Sequence, residues 1–221
     1  MAFHVHDGCV LRGRILLRAM GRGKAGLESW SMAETARKLA TWEDILEAPD
    51  DGRTWEVLGG ILEGMPRPRP SHGRVQAGVV SSLFDPFDRG RGGPGGWWLV
   101  IEPDVRFFAH EIVAPDVVGW RRERLPRLPD ERPIDLRPDW VCEVVSPSNR
   151  RRDRGPKADL YLRAGVPHYW IVDPDKRSLE AFAAQPGGWL RLGAWSDGDE
   201  PRIPPFDAIA LDVGGLFLPL A

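Results

Sequence analysis

A carboxylate inside an apolar strand pattern is the feature that most constrains this chain. Glu143 lies in the short β-branched and aromatic run 140–145, which the turn residues 146–148 end. Side chains alternate along a strand, so Glu143 shares a face with Val141 and Val145. An unpaired carboxylate is costly to desolvate. The pattern therefore predicts that Glu143 is either salt-bridged at a sheet margin or bound to a metal.

A second carboxylate has a similar setting. Asp116 follows a proline where a turn leads into the short apolar run 117–120. An aspartate there can simply cap local backbone amides, so a turn residue and a metal ligand both fit. Neighbouring strands with one carboxylate each could bring two oxygen donors to one Mg²⁺ ion. Zinc is disfavoured, because the two cysteines and five histidines are scattered without zinc spacing.

A helix is predicted to begin between Asp153 and Pro156, because proline is tolerated only in the first turn of a helix. Lys157 would then lie in that turn, where the helix dipole disfavours a cation. Such a violation indicates a functional lysine, and a solvated surface lysine is the alternative. Asp153, four residues earlier, could hold the ammonium group or form an ordinary surface pair with it.

Four arginines lie between the strand and this helix, in a segment predicted to be a loop: Arg150, Arg151, Arg152 and Arg154. Their forked guanidinium groups suit contacts with phosphate, and a solvated loop is the alternative. The net charge of -2 gives no general attraction to nucleic acid. Any steering of DNA must therefore come from local clusters such as this one.

Three segments resemble the Uma-two family of restriction-endonuclease-like proteins: TWEDILEAPDDGRTWEVLGGILEGMPRPRPSHGRV, APDVV and EVVSPSNRRRDRGPKADLYLRAGVPHYWIVDP. The resemblance covers residues 41–218. It implies a fold of the PD-(D/E)XK nuclease superfamily. The expected fold class is α/β (α+β), a restriction-endonuclease-like core with a mixed central β-sheet flanked by helices.

The resemblance also implies the roles of the acidic residues. Asp116 corresponds to the metal-binding aspartate, Glu143 to the acidic residue of the (D/E)XK tripeptide, and Glu56 to an upstream acid that can join the metal site. Val145 occupies the usual position of the lysine, whereas the Uma-two pattern places a lysine on the following helix, here Lys157. A lysine that has moved to another backbone position explains this departure, and loss of activity is the competing explanation.

By this resemblance the chain is a Mg²⁺-dependent endodeoxyribonuclease, with Mn²⁺ as the other candidate ion. Asp116, Glu143 and Glu56 would hold the metal, and Lys157 would act on the attacking water and the phosphate. His72 is implied to face the site, although an exposed helix-capping segment has the same pattern. Three alternatives stay open: a catalytically inactive nuclease-fold protein used for DNA binding or assembly, a non-hydrolytic metal-binding regulator, and a nuclease for RNA or branched DNA.

Length and composition limit the setting. A chain of 221 residues with 42% hydrophobic content can bury one good core, which predicts a single nuclease domain over residues 41–221. No apolar run reaches about 18 residues, so no membrane span is expected. Two distant cysteines are typical of a reducing cytoplasm. DNA and a second copy in a homodimer are the expected partners, and a methyltransferase partner is left undetermined.

Residues 1–40 are expected to be a disordered or misannotated extension. Basic residues interrupt every apolar patch of residues 1–30, so no signal-peptide pattern forms. Translation is expected to start at Met32, and a basic arm that grips DNA is the alternative.

The remaining patterns predict elements of one α/β unit. A short helix is expected over residues 42–46, a hairpin over 55–65, a helix over 71–84, and paired strands over 97–108 and 111–120. Later strands are expected over residues 169–174, 178–183, 189–195 and 209–213. The glycine-rich residues 90–96 are predicted to form a flexible loop beside the site. The ten tryptophans are interpreted as core and dimer surface.

Overall fold

The computed structural model describes residues 38–219. The predictions for residues 1–37, including a start at Met32, lie outside this range. Within it, the first part of the chain forms a short helix, a hairpin and a longer helix: α1 (Trp42–Leu46), β1 (Thr54–Leu58), β2 (Ile61–Met65) and α2 (Pro70–Leu83). A π-helical turn, Phe84–Asp88, extends α2. These elements agree with the predicted ones to within a residue or two.

Eight further strands follow: β3 (Trp97–Ile101), β4 (Val105–Phe108), β5 (Glu111–Val113), β6 (Val117–Arg121), β7 (Trp140–Val144), β8 (His168–Asp173), β9 (Ser178–Gln185) and β10 (Gly188–Ser196). One sheet has the order β2-β1-β5-β4 and the other the order β10-β9-β8-β7-β6-β3. The larger sheet is mixed, because β7 and β8 are parallel while its other pairs are antiparallel. The predicted α/β (α+β) class with a mixed sheet and flanking helices is confirmed.

Strand β7 separates two apolar cores. Trp140, Cys142 and Val144 pack on the side of α2, whereas Val141 and Val145 pack on the opposite side. Glu143 alternates with the second group, as the strand pattern predicted.

The helix after β7 begins earlier than predicted. This site helix comprises Arg150–Arg152, the π-helical segment Asp153–Lys157, and Ala158–Arg163. Pro156 lies inside it, within the wider π turn, where the regular α-helical hydrogen-bond ladder is already interrupted and a missing N–H costs less. Lys157 is therefore in the middle of the helix and not in its first turn. The segment predicted as an arginine-rich loop is likewise helical.

Three other predictions are wrong in detail. Residues 97–108 and 111–120 each divide into two strands, and these strands belong to different sheets: β3 pairs with β6, and β4 pairs with β5. Residues 209–213 form no strand. The glycine-rich residues 90–96 precede Trp97, at the opposite end of β3 from the pocket described below, about 16 Å away along a five-residue strand.

Within residues 38–219, no helix is both long and apolar enough to cross a membrane. The nine tryptophans of this range are buried or half-buried.

Candidate active site

A cavity of about 270 Å³ contains most of the residues predicted to be functional. Strands of both sheets, the start of α2 and the site helix contribute to its wall. Its titratable side chains are five carboxylates and five basic groups: Glu56, Glu102, Asp116, Glu143, Asp153, Arg67, Arg69, His72, Arg152 and Lys157. The structure thus brings together Asp116, Glu143 and Lys157, which the sequence places far apart.

Lys157 lies at the centre of the buried part of this site. Its Nζ is 3.0 Å from Glu143 Oε1 and 3.2 Å from Glu56 Oε1. Burial lowers the pKa of Lys157, but the charges of Glu143 and Glu56 outweigh burial and raise it above its ordinary value. Lys157 therefore remains a cation near neutral pH. Val145, beside Glu143, packs in the core as the sequence indicated.

Tyr161 was not predicted as a site residue, although it lies four positions after Lys157 and thus on the same helix face. Its hydroxyl donates a hydrogen bond to Glu143 Oε1. Burial and the charge of Glu143 raise the pKa of Tyr161 well above its ordinary value, so the hydroxyl keeps its proton and remains a donor. Tyr161 and Lys157 together fix the orientation of the Glu143 carboxylate.

Asp116 stands directly before β6 and next to Glu143. The Val144 N–H donates to Asp116 Oδ2 at 2.6 Å, and the Asp116 N–H donates to Glu143 Oε2 at 3.4 Å. On the other side, His72 Nε2 lies 2.8 Å from Asp116 Oδ1, and Gln76 Nε2 donates to the same oxygen at 3.3 Å. The position of the carboxylate is therefore fixed from both the sheet and α2.

The surroundings shift the proton affinities of Asp116 and His72. Burial raises the pKa of Asp116 to about 7, the charge of Glu143 adds to this rise, and His72 opposes it. Burial lowers the pKa of His72, but its hydrogen bond and charge interaction with Asp116 outweigh burial and raise it. Crowded carboxylates of this kind are costly to ionise unless a cation relieves them.

Glu102 is a site residue that the sequence did not reveal. Its carboxylate, Asp116 and His72 each offer one ligand atom, and these atoms lie within 4.8 Å of one another. Gln76 Nε2 donates to Glu102 Oε1 at 2.8 Å, and the Glu102 N–H donates to the Asp116 carbonyl at 3.2 Å. Glu102 has a left-handed φ of 49° at the end of β3, a conformation that no sequence pattern indicated.

Glu56 is buried, as expected for a member of the site, but its oxygens are already engaged. Oε1 accepts the Ala114 N–H at 2.8 Å and faces Lys157, and Oε2 is 2.7 Å from Arg152 Nη2. Two cations therefore compete with any metal for this carboxylate.

Asp153 fits neither of the two arrangements considered for it. It is only 1% exposed and forms no ion pair with Lys157, so it is not a surface partner of that lysine. Burial raises its pKa to about 8, the charge of Glu143 adds to the rise, and Lys157 opposes it. Its Oδ2 has no hydrogen-bond partner within the described chain.

The four arginines of the basic run are mostly paired with carboxylates of the chain. Arg150 lies 3.0 Å from Asp173, Arg152 holds Glu56, and Arg154 pairs with Glu180. Arg151 is exposed. Their predicted contact with nucleic acid stays a prediction, but three of the four already have an anionic partner.

The chain is similar to known proteins in sequence and in fold. A family model, Uma2, with the description "Putative restriction endonuclease", matches residues 42–214. A crystal structure of "a putative nuclease belonging to DUF820" from Anabaena variabilis has a TM-score of 0.65 and 21% sequence identity, and the match covers 80% of this chain and 97% of that chain. At this identity the likeness shows the fold alone. Among curated proteins, no sequence matches the chain. Because the family model spans most of its length, the chain belongs to the Uma2 family, as its motifs predicted.

Proposed function

We propose that this protein is a metal-dependent nuclease that hydrolyses phosphodiester bonds in DNA, with Asp116, Glu143 and Lys157 as its catalytic residues. The observation that carries the proposal is the buried ammonium group of Lys157, which lies 3.0 Å from Glu143 and lines the same cavity as Asp116. A lysine from the site helix thus reaches the acidic pair although Val145 occupies the usual lysine position. Membership of a family with the description "Putative restriction endonuclease" supports the same activity.

The donor set fits a divalent cation. Asp116, Glu102 and His72 offer two carboxylates and one imidazole within a small space, and the raised pKa of Asp116 reflects a cost that a cation would relieve. Mg²⁺ and Mn²⁺ both accept carboxylate ligands. We therefore assign the metal to Asp116, His72 and Glu102, with Glu143 beside them. Glu56, predicted as a ligand, is better placed to hold Lys157.

The residues of the chain divide the chemistry among them. A bound divalent ion supplies a water of lowered pKa and neutralises charge on the scissile phosphate. Lys157 is held as a cation by Glu143 and Glu56, so it stabilises negative charge that develops on the phosphate and does not accept a proton. Tyr161 keeps the Glu143 carboxylate in a fixed orientation.

Cleavage assays with a matched pair of variants test this proposal. Plasmid, linear duplex and single-stranded DNA are incubated with the protein in Mg²⁺, in Mn²⁺ and in EDTA. We expect cleavage that requires metal and is lost in Glu143→Gln. Glu111→Gln should cleave normally, because Glu111 is a buried glutamate paired with Arg163 at 2.8 Å but lies outside the cavity.

Cleavage that persists in EDTA or in Glu143→Gln would contradict the proposal. A protein that binds DNA but cleaves none of these substrates would favour the catalytically inactive alternative. The homodimer remains a prediction, which sedimentation measurements can check.

A further inference from the structure

The segment 66–70 has the sequence PRPRP, and its residues 66–69 line the cavity. Prolines lack a backbone N–H and fix φ, and a residue that precedes a proline favours extended backbone. The segment accordingly crosses the rim without pairing as a strand, and Arg69 has φ -72° and ψ 156° before α2 begins. Arg67 and Arg69 are both exposed, and both line the cavity. Their backbone is therefore held in place while their side chains face solvent.

These two arginines have no carboxylate partner among the side chains that line the cavity. The other strong cations of its wall, Lys157 and Arg152, are each paired with buried glutamates. Across residues 38–219, neither Arg67 nor Arg69 forms an ion pair with a carboxylate, and Arg67 makes one hydrogen bond, from Nε to the Gly52 carbonyl at 3.2 Å. The positive charge available to a ligand at this mouth therefore belongs to Arg67 and Arg69.

The cavity lining also contains neutral polar side chains. Ser146, Ser148 and Asn149 line the cavity just before the site helix, and the hydroxyl oxygens of the two serines are 2.9 Å apart. Hydroxyl and amide groups are common partners of phosphate oxygens. The cavity is thus lined by two exposed guanidinium groups without a carboxylate partner, by neutral polar side chains and by buried carboxylates.

The buried carboxylates of the cavity repel the phosphates of a nucleic acid. A nucleic-acid strand that enters the cavity therefore requires cations at the cavity mouth. We propose that Arg67 and Arg69 bind the phosphodiester backbone of the nucleic-acid strand whose scissile phosphate enters the cavity. The run from Arg150 to Arg154 is less available for this role, because three of its four arginines are paired within the chain. The inference rests on the proposed nuclease function, and it names the element that holds the substrate. Forked guanidinium groups suit phosphate oxygens better than the point charge of a lysine does.

Binding measurements without cleavage test this inference. The affinity of the full chain for a short fluorescent duplex and for the matching single strand is measured by anisotropy in Ca²⁺ at several salt concentrations. The double variant Arg67→Ala/Arg69→Ala is compared with Arg91→Ala/Arg127→Ala, which removes two other exposed arginines outside the cavity wall. Both variants carry the same net charge, and circular dichroism checks their folding.

We expect the rim variant to lose roughly tenfold or more in affinity at moderate salt, and its salt slope to fall by about 2 for duplex DNA, since each lost phosphate contact removes about one unit. The control variant should bind like the unmodified chain. Equal binding by both variants, or an equal loss in both, would overturn the inference and leave the nuclease proposal intact. An unmodified chain that binds neither DNA would overturn both.

Discussion

Lys157 forms ion pairs with two buried carboxylates, so its ammonium group contributes to the stability of the fold as well as to the proposed chemistry. Glu143 and Glu56 are 1% and 2% exposed, and each has an oxygen within 3.2 Å of Lys157 Nζ. Removing one member of a buried ion pair leaves an uncompensated charge in a poorly solvated place. A substitution at Lys157 therefore cannot be treated as a purely catalytic change.

Lys157→Met should abolish cleavage and also lower the free energy of unfolding by about 3–5 kcal/mol, the usual cost of breaking a buried pair. Denaturant unfolding measures the loss. The double variant Glu143→Gln/Lys157→Met should recover a large part of the stability, because it removes one stranded charge, and it should remain inactive. Lys176→Met is the control, since Lys176 is exposed and 4.0 Å from Asp173. If Lys157→Met had the same free energy of unfolding as the unmodified chain, the ammonium group would not stabilise the two buried glutamates.

Individual site residues were predictable to the extent that a sequence pattern marked them. Glu143 interrupts an apolar strand and Lys157 follows it in a family motif, so the sequence marks both as candidates, and both line the cavity. Glu102 and Tyr161 were missed. Glu102 lies in the site because its backbone is left-handed, and Tyr161 because its hydroxyl bonds to Glu143, 18 residues away in sequence. No local sequence pattern indicates either feature.

At the scale of elements, helix α2 contains two glycines that differ in how closely other residues pack against them. A Cβ at Gly78 would lie 2.9 Å from Leu216 Cα and 3.0 Å from the Leu216 carbonyl oxygen, so the glycine permits close approach of α2 to the C-terminal segment. A Cβ at Gly73 would meet no atom within 4 Å. Only the first glycine is therefore required by packing.

Gly78→Ala should lower the free energy of unfolding by about 1–3 kcal/mol, because the clash involves backbone atoms that cannot rotate away. Gly73→Ala should raise it by about 0.5–1 kcal/mol through the higher helix propensity of alanine. Thermal unfolding of the two variants provides the comparison, and each serves as the control for the other. If both substitutions stabilised the protein, the close packing of α2 on Leu216 would be refuted.

Local patterns identified elements better than they identified partners. The hairpin of β1 and β2 has its turn glycines in sequence, and the structure contains it. The partners of β3 and β4 depend instead on which sheet each strand joins, and adjacent strands in the chain separate into different sheets. The π turn around Pro156 was similarly invisible, because proline normally indicates the start of a helix.

At the scale of the whole molecule, the site exists only where the two sheets meet. Glu56 comes from β1 of the smaller sheet, Glu143 from β7 of the larger one, and Asp116 from the link between β5 and β6, which joins the two sheets. The molecule thus collects several negative charges at the junction of its sheets. Lys157 pairs with Glu143 and Arg152 with Glu56, so Asp116 is the carboxylate whose charge a bound metal ion would relieve.

Divalent ions should therefore stabilise the protein, and Asp116 should be the residue that couples them to stability. A ligand that binds only the folded state raises Tm by mass action. We therefore expect Mn²⁺ and Mg²⁺ each to raise Tm, and EDTA to restore the Tm of the metal-free protein. The rise should disappear in Asp116→Asn, shrink in His72→Ala, and persist in Glu111→Gln.

Without metal, Asp116→Asn should be more stable than the unmodified chain, and more so at pH 8 than at pH 5. The pKa of Asp116 is raised to about 7, so the folded state resists its ionisation, and stability is lost as pH rises from the unfolded pKa of about 4 towards 7. Asparagine removes this loss, and its carbonyl can still accept the Val144 N–H. Each kcal/mol recovered should raise Tm by about 2–4 °C in a chain of this size. If Asp116→Asn lowered Tm in EDTA at pH 8, or kept the metal-dependent rise, the crowded carboxylates would not be the metal site.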